Sequence, residues 1–323
     1  MAEIGNNHEG SVGLAEEMIG RAAEAGADAV KLQTLVPKLF VSPLDPARME
    51  TMRRFALSHV DTERLIREGS EHGISVFSTP LDLASLAVLA PLVTTIKVAS
   101  GGIAFTPLLE AVAATGLDTI ISTGASTMTE VAEAVATFSA IWGQVAISPD
   151  LAILHCVSNY PAATSSVNLR ALSTLAAAFP QAAIGYSDHT LGIEVAVCAA
   201  AAGARIIEKH FTLDKAHSDF RDHALSGDPT DFRELRDRID LVNELLGTGI
   251  KAPDEAEQVM IPVIRRSLTL TRDVPAGRRL VATDLVCMRP GTGVPPSALK
   301  ETLGRILSVA KKAGEVLVPS DLT

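Results

Sequence analysis

The stretch Ile206-Ile-Glu-Lys-His-Phe-Thr-Leu213 and its upstream counterpart Gly185-Tyr-Ser-Asp-His-Thr190 decide the fold of this chain. Each is a short apolar strand pattern that ends in hydroxyl, acidic and basic groups and a histidine. An alanine-rich, helix-forming segment of about twenty residues separates His189 from His210. This layout is typical of neighbouring strands in a β/α barrel, whose carboxyl ends converge on one rim. The two imidazoles are therefore predicted to meet at that rim and to bind a metal ion.

The same alternation of strand and helix patterns continues along the chain to about residue 245. Short apolar runs rich in β-branched residues indicate strands that are buried on both faces. Eight such strands with helices between them predict a (β/α)8 TIM barrel, a fold of the α/β class. The predicted strands are Ala2–Ile4, Ala29–Gln33, Ser75–Ser78, Thr95–Ala99, Thr119–Ser122, Ala152–Cys156, Ala183–Tyr186 and Ile206–Lys209.

A change of character after Leu246 predicts a second domain. Glycine and proline residues make 247–260 read as a linker, and 261–323 contains two short strand patterns around tight turns. We therefore predict a barrel over 1–246, a linker over 247–260 and a small, mainly β domain over 261–323. About sixty residues make only a marginal core alone, so this small domain is expected to dock on another surface.

The composition narrows the functional class. The 323 residues carry a net charge of −10, which argues against a broad nucleic-acid surface, so an anionic substrate would need a local positive pocket. The three cysteines show no CxxC spacing, so neither a disulfide framework nor a cysteine zinc site is expected. The sequence contains no bilayer-length apolar run and no signal-peptide pattern, which predicts a cytoplasmic enzyme.

The amino terminus lies almost inside a motif of functional character, Ala2-Glu-Ile-Gly5. A strand that ends at Glu3 has very little sequence before it. The sequence therefore predicts either a start upstream of Met1 or an unusually short first strand.

Polar side chains follow every predicted strand. Taken singly, a lysine here could be solvated and a hydroxyl could simply cap a helix, but all of these groups fall on one rim. Two lysines among hydroxyls suit a substrate that carries phosphate and carboxylate groups, and Ser122-Thr-Gly124 before a capped helix is the best phosphate candidate. The rim groups are Glu3, Lys31 with Gln33, Ser78 with Thr79, Lys97 with Ser100, Ser122 with Thr123, His155 with Ser158, Ser187 with His189, and Glu208 with His210.

Several motifs, in order along almost the whole chain, resemble the sialic acid synthase family. The carboxy-terminal Arg289-Pro-Gly-Thr-Gly293 resembles that family's antifreeze-protein-like (SAF) domain. The barrel motifs are Ala2-Glu-Ile-Gly-Asn-Asn-His-Glu-Gly10, Val30-Lys-Leu-Gln33, Phe77-Ser-Thr-Pro80, Lys97-Val-Ala-Ser100, Ser122-Thr-Gly124, His155-Cys-Val-Ser-Asn-Tyr-Pro161, Gly185-Tyr-Ser-Asp-His-Thr190 and Glu208-Lys-His-Phe-Thr212.

The resemblance implies a condensation of phosphoenolpyruvate with the open-chain aldehyde of an N-acylated hexosamine similar to N-acetylmannosamine. The product would be a nine-carbon 2-keto-3-deoxy sugar acid of the sialic acid type, with release of phosphate. The resemblance also implies a divalent Mn²⁺ or Mg²⁺ held by His189 and His210. It further implies a domain-swapped homodimer, in which Arg289 reaches the partner's active site. The acidic composition and the lack of a bilayer-length apolar run predict that neither nucleic acid nor membrane is a partner.

The resemblance also assigns roles to the rim residues. Independently of the resemblance, the chemistry of carboxyl groups predicts that Glu3 or Glu208 relays protons, and Asp222 is expected to complete the catalytic set. The positions implied to contact phosphoenolpyruvate are Lys31, Thr79, Lys97, Ser100, Ser122, Ser158 and Ser187, and those implied to lie nearer the sugar are Glu3, Gln33, Tyr160 and Asp222.

Departures from the family pattern lie on the acceptor side. Gly102 stands where the family usually has an acidic residue, and Phe220-Arg-Asp-His-Ala-Leu-Ser226 replaces the usual Gly-Pro-Asp-His-Lys-Ala-Ser. The acceptor sugar therefore stays open, and a legionaminic or pseudaminic acid synthase is an alternative. Two further hypotheses are a Schiff-base aldolase that uses Lys97 or Lys209, and an inactive carbohydrate-binding homologue.

Overall fold

The chain divides into two units, Met1–Gly247 and Thr248–Thr323, in a computed structural model that describes residues 1–144 and 148–323. The first unit is a near-closed barrel of eight parallel strands, which confirms the predicted (β/α)8 architecture. The strand order is β3-β2-β1-β8-β7-β6-β5-β4, and the two end strands of this order lie side by side. The strands are β1 (Ala2–Gly5), β2 (Ala29–Thr34), β3 (Ser75–Pro80), β4 (Thr95–Val98), β5 (Asp118–Ser122), β6 (Leu151–Cys156), β7 (Ala183–Asp188) and β8 (Ile207–His210).

Burial on both faces explains why the strands read as nearly continuous apolar runs. Val30 and Leu32 of β2 and Ile96 and Val98 of β4 are fully buried. Each observed strand agrees with its predicted counterpart within two residues at either end. Strands β3 and β7 each extend two residues beyond the predicted end; in β7, Ser187 and Asp188 continue the strand because they pair with Glu208 and Lys209 of β8.

Helices connect the strands, and local signals set their ends. Thr127 Oγ1 accepts a hydrogen bond from Glu130 N, and Glu130 Oε2 accepts one from Thr127 N, so a capping box begins the helix after β5. The helices of the first unit are α1 (Val12–Glu24), α2 (Pro37–Phe40), α3 (Pro46–Phe55), α4 (His59–Glu71), α5 (Leu83–Leu89), α6 (Thr106–Thr115), α7 (Met128–Trp142), α8 (Arg170–Ala178), α9 (Glu194–Ala201), α10 (Arg221–Leu225) and α11 (Pro229–Leu246). Among the helices described, none is both long and apolar enough to cross a membrane.

Two long connections lie at the carboxyl ends of the strands. The segment after β2 contains α2 and α3 before α4 begins, and the segment after β8 contains the short helix α10. Long segments on this rim are where a barrel usually carries its substrate contacts.

The second unit contains a small antiparallel sheet. Strands β9 (Ser267–Leu270) and β10 (Leu285–Met288) pair with Leu270 opposite Leu285. Its core is formed by Leu268, Leu270, Val274, Leu280, Val294, Leu307 and Leu317. The helices of this unit are α12 (Glu255–Ile264) and α13 (Leu299–Thr302), and α12 begins inside the segment that the sequence predicts as a linker.

Candidate active site

A cavity of about 630 Å³ opens where the barrel strands end. The cavity walls contain almost all residues of the first unit that the sequence predicts to be catalytic, substrate-binding or metal-binding. Thr79 lies beneath the wall instead, with its hydroxyl 3.4 Å from Lys31 Nζ. The predicted residues in the walls are Glu3, Lys31, Gln33, Lys97, Ser100, Ser122, Ser158, Tyr160, Ser187, His189, Glu208, His210 and Asp222.

Two buried lysines and two buried carboxylates form the floor of this cavity. Lys31 Nζ lies 2.6 Å from Glu3 Oε2 and 3.7 Å from Glu208 Oε2. Lys97 Nζ lies 3.3 Å from the same oxygen of Glu208, so this carboxylate bridges the two ammonium groups. All four side chains are at most 6% exposed. Because an unpaired buried charge is costly, each ammonium group must be paired with a carboxylate.

The two carboxyl groups differ in how readily they take up a proton. Burial alone raises the pKa of a carboxyl group, and for Glu208 Lys31 and Lys97 overcome this effect and hold its pKa far below the usual range. For Glu3 burial prevails over the single close cation Lys31, so its pKa is raised. Glu208 therefore acts as a fixed anion, whereas Glu3 is suited to exchange a proton with a ligand.

The two lysines also differ. Burial would lower the pKa of Lys31, but Glu208 and Glu3 outweigh burial and raise it. Burial prevails at Lys97, whose pKa is lowered in spite of Glu208. Lys31 is thus a permanent cation, and Lys97 is the lysine that gains most from the arrival of an anionic ligand.

A hydroxyl cradle lies beside the lysines. Lys97 Nζ donates to Ser122 Oγ at 2.7 Å, and Gly124 N donates to Ser100 Oγ at 3.0 Å. A Cβ atom at Gly124 would lie 2.2 Å from Ser158 Oγ and 2.8 Å from Ser100 Oγ. Glycine is therefore required for these two hydroxyls to converge on the backbone, an arrangement suited to an anion.

His189 and His210 meet at the rim, with ring centroids 5.3 Å apart. His189 Nδ1 lies 2.7 Å from the carbonyl oxygen of Val157, which fixes the proton on this nitrogen and leaves Nε2 free to bind a cation. His210 Nδ1 is buried without a hydrogen-bond partner. Two imidazoles, one of them with an unsatisfied nitrogen, beside the carboxylates of this cavity fit a divalent cation.

The outer part of the cavity is less charged. Tyr160 stacks on His189 at 4.1 Å, and Arg221 lies over the Tyr160 ring at 4.8 Å while it pairs with Asp222. Gln33 Nε2 donates to Glu3 Oε1 at 3.0 Å, which links this part to the floor. Apolar side chains complete the wall here, namely Leu39, Phe40, Met52, Phe105, Leu108 and Phe220.

The segment that carries Asp222 is tied to the segment after β1. Glu9 has the positive φ of 47°, and its carboxylate accepts from the Ser218 hydroxyl and lies 3.3 Å from His223 Nε2. The other nitrogen of His223 lies 2.7 Å from Thr212 Oγ1. Although Glu9, His223 and the neighbouring His217 bring ligand-type atoms close together, these protein contacts already satisfy the carboxylate of Glu9, so the cluster holds the loop.

Several cavity residues are missing from the sequence-based set. Arg48 and Met52 come from α3, and Phe105 comes from the turn before α6. Their sequence carries no polar strand-end signal. The long connection after β2 brings Arg48 and Met52 to the wall, and the short turn after β4 brings Phe105 there. Asn6 and Cys156 could have been found, since each lies within a quoted motif; Asn6 Nδ2 donates to Gln33 Oε1, and Cys156 Sγ lies 3.7 Å from His189 Nδ1.

Three residues considered from the sequence lie elsewhere. Lys209, the alternative Schiff-base lysine, is wrong as a nucleophile, because its ammonium group is bound to Asp188 away from the cavity. His155 lies 2.7 Å from the Val167 carbonyl oxygen, a structural contact. Arg289 belongs to the second unit, where it is exposed and its Nε donates to the Ile264 carbonyl oxygen at 3.0 Å.

Buried lysines, a hydroxyl cradle and an imidazole pair at the carboxyl rim of a barrel are features that suit an enzyme acting on a small anionic substrate. Residues 18–251 match the NeuB family and residues 265–323 match the SAF domain. The chain belongs to the NeuB family, with a carboxy-terminal SAF domain.

Named relatives specify the class further. An N,N'-diacetyllegionaminic acid synthase of Legionella pneumophila is 39% identical over 98% of this chain and 92% of its own length. The human N-acetylneuraminate-9-phosphate synthase is 30% identical over 98% of this chain and 90% of its own length. The crystal structure of a sialic acid synthetase from Leptospira borgpetersenii, in complex with citrate, is 34% identical, with a TM-score of 0.76 over 80% of this chain and 88% of that chain. These relatives support a sugar acid synthase.

Lys31→Met tests the buried charge network. The variant leaves Glu3 and Glu208 with less compensation, so the free energy of unfolding should fall by about 3–5 kcal/mol at pH 8. The loss should be smaller at pH 5. Carboxyl groups that lose a neighbouring cation have a higher pKa in the folded state, so they are protonated at pH 5 and no longer bury an uncompensated charge. Breaking the exposed pair between Arg236 and Asp28 with Arg236→Met should cost at most about 1 kcal/mol. Urea unfolding at both pH values measures these losses.

Equal losses for Lys31→Met and Arg236→Met, or a Lys31→Met loss that is larger at pH 5 than at pH 8, would contradict the network.

Proposed function

We propose that this protein condenses phosphoenolpyruvate with the aldehyde of an N-acylated hexosamine to give a nine-carbon 2-keto-3-deoxy sugar acid and phosphate. The observation that carries the proposal is the pair of fully buried lysines, Lys31 and Lys97, which share one carboxylate in the cavity of an acidic protein. The carboxylates around these two cations do not exceed them in number, so the site can accept further negative charge from a multiply charged anion such as phosphoenolpyruvate. The names of the relatives favour the same reaction class.

The proposed donor subsite combines the two lysines with the hydroxyl cradle. Lys97 and Ser122 would hold one anionic group, and Ser100, Ser158 and the Gly124 region would hold the other, since charge-assisted hydrogen bonds are stronger than neutral ones. Held in this way, the C3 atom of phosphoenolpyruvate would face the outer part of the cavity, where the aldehyde of the acceptor would lie.

The proposed reaction balances without a redox partner. The enol π electrons form the bond from C3 to the aldehyde carbon, and the aldehyde oxygen gains a proton. Water adds to C2 and loses one proton, which balances the proton gained by the aldehyde oxygen. When the bond between C2 and the bridging oxygen then breaks, the C2 hydroxyl passes its remaining proton to the departing phosphate, and C2 becomes the ketone carbon. Glu3, with its raised pKa, is suited to carry one of these protons, while the anion of Glu208 keeps both lysines in place.

His189 and His210 would hold a divalent cation at the junction between the two subsites. Because imidazole favours transition metals and carboxylates favour Mg²⁺ and Mn²⁺, a mixed set of this kind favours Mn²⁺ over Mg²⁺. When bound, the cation would supply Lewis acidity to the aldehyde oxygen. Tyr160, stacked on His189, restrains the ring on the side of the acceptor.

The acceptor that we propose carries two N-acyl groups. Leu39, Phe40 and Phe105 keep 36–57% of their surface exposed at the cavity wall, which is unfavourable unless a ligand covers them. Methyl groups of acyl substituents would cover this surface better than the hydroxyls of a simple sugar. The higher identity to a diacetyllegionaminic acid synthase (39%) than to a neuraminate-9-phosphate synthase (30%) agrees with this choice.

A Schiff-base aldolase is the second candidate, because the lowered pKa of buried Lys97 is a property that such a nucleophile requires. It would accept pyruvate rather than phosphoenolpyruvate and would need no metal ion. Borohydride treatment in the presence of pyruvate separates the two candidates, since only the aldolase would become covalently modified at Lys97.

Phosphate release from phosphoenolpyruvate tests the proposed function directly. In the presence of Mn²⁺, the acceptors to compare are N-acetylmannosamine, its 6-phosphate and hexoses with two acetamido groups. We expect the highest kcat/KM for a diacetamido hexose and no release without an acceptor. Release with N-acetylmannosamine as the best acceptor would retain the reaction and overturn the choice of acceptor, whereas no release with any of them would overturn the function.

His210→Ala is expected to abolish Mn²⁺-dependent turnover and to weaken Mn²⁺ binding, because one of two imidazole ligands is lost. Circular dichroism should show an unchanged fold. His72→Ala, which removes an exposed histidine at the end of α4, is the matched control and should retain both properties. Full turnover and unchanged Mn²⁺ binding in His210→Ala would exclude this metal site.

We also propose a homodimer in which Arg289 of each chain reaches the cavity of its partner. The contact from its Nε to the Ile264 carbonyl oxygen leaves both terminal nitrogens free for a sugar oxygen. A mixture of Arg289→Ala and Lys97→Met chains should regain activity after subunit exchange, because one site of the heterodimer then carries neither change. Demonstrated exchange without any recovery of activity would exclude the shared site.

A further inference from the structure

Asp188 and Lys209 form an ion pair inside the first unit that the proposed reaction does not use. Lys209 Nζ lies 2.8 Å from Asp188 Oδ2, and the two side chains are 1% and 0% exposed. Within the part of the chain that the structure describes, the cavity wall includes neither of them, although it includes the residues on both sides of each in sequence. A buried ion pair is costly, so its location calls for a physical explanation.

The register of the sheet places this pair directly before the two metal-binding histidines. Ser187 pairs with Glu208 and Asp188 pairs with Lys209 across β7 and β8. Successive side chains of a strand point to opposite faces. The Ser187 and Glu208 side chains therefore point into the cavity, where they share a 2.7 Å hydrogen bond, and the Asp188–Lys209 pair points away from it.

The hydrogen bonds of the pair enclose the backbone of His189. Lys209 Nζ donates to the Thr190 carbonyl oxygen at 3.0 Å as well as to Asp188. Asp188 Oδ1 accepts from Thr190 N at 3.0 Å and from Thr190 Oγ1 at 2.8 Å. One ammonium group thus holds the residues before and after His189, and this ammonium group belongs to the residue that precedes His210.

We propose that the Asp188–Lys209 pair is a positioning clamp that sets the distance and orientation of His189 and His210 for the divalent cation. The inference rests on the metal site of the proposed function. A well-packed apolar pair of similar volume could give equal stability at this place. An apolar pair lacks the directed hydrogen bonds to Thr190. These hydrogen bonds fix the backbone on both sides of His189 relative to the strand that carries His210.

The double variant Asp188→Asn/Lys209→Met separates positioning from stability. It removes both charges together, so no lone charge remains buried, and the amide oxygen introduced at position 188 can still accept from Thr190. We expect the thermal unfolding midpoint to stay close to that of the parent, while the dissociation constant for Mn²⁺, measured by electron paramagnetic resonance, rises about 10-fold or more. The Mn²⁺ spectrum itself should also change, because the ligand geometry changes.

A matched control removes a largely buried ion pair of the second unit. In the second unit Lys311 Nζ lies 2.6 Å from Asp321 Oδ2, with side chains 17% and 8% exposed. Lys311→Met/Asp321→Asn makes the same chemical change there and should leave Mn²⁺ binding to the whole chain unaltered. A weakening equal to that in the barrel variant would overturn the clamp, because general loosening would then explain both effects.

Two other outcomes decide the remaining cases. If the Asp188→Asn/Lys209→Met chain folds and binds Mn²⁺ as tightly as the parent, the clamp is overturned. If that chain does not fold, Thr190→Val removes only the hydroxyl contact to Asp188 and should still weaken Mn²⁺ binding; unchanged binding overturns the clamp.

The failure of the proposed function has a separate signature. If the parent chain binds no Mn²⁺, the metal site of the proposed function is wrong. The clamp is then tested by comparing crystal structures of the parent and of Asp188→Asn/Lys209→Met, or of Thr190→Val if the double variant does not fold. Displaced His189 and His210 rings support the clamp, and identical ring positions overturn it.

Discussion

Two lysine side chains buried at one point of an acidic protein impose the constraint on which the rest of the site depends. Lys31 and Lys97 are both withdrawn from solvent, and Glu208 lies within 4 Å of both ammonium groups. This arrangement is stable only while the carboxylate stays ionised and the strands hold the three groups in register. Because the pKa of Glu3 is raised, Glu208 is, among the residues that the structure describes, the only fixed anion beside the two ammonium groups, and an anionic ligand supplies the remaining negative charge.

The barrel supplies this arrangement through strand register. Glu3, Lys31 and Glu208 come from three adjacent strands, and Lys97 comes from across the barrel, so no local segment could assemble the site alone. The same logic extends outward from the floor: each inward-facing residue is followed by one that faces the surrounding helices and then by another that faces the cavity. Lys31 and Gln33 follow this pattern on β2, as do Glu208 and His210 on β8, with Lys209 between them on the opposite face.

Much of the fold and of the site could be predicted from the sequence, since parallel strand ends converge whatever the details of packing. Lys97, Ser122 and His189 were found in this way, as was the barrel itself. Arg48 and Met52 could not be found, because the folding of the long connection after β2, for which the sequence has no periodic signal, brings them to the wall. Lys209 is a candidate nucleophile by residue type, but it lies between two inward-facing residues, and the period-two alternation of a strand places it on the face opposite to the cavity.

Equilibrium binding of phosphoenolpyruvate, without any acceptor sugar, tests the central claim most directly. Calorimetric titration of the parent and of Lys97→Met should show affinity lower by about 10- to 100-fold in the variant, as expected for the loss of one charge-assisted contact of about 1.5–3 kcal/mol. Lys215→Met, which removes an exposed lysine bound to Asp228 and Asp231, should bind like the parent. Equal affinity for phosphoenolpyruvate in the parent and in a folded Lys97→Met protein would contradict the account.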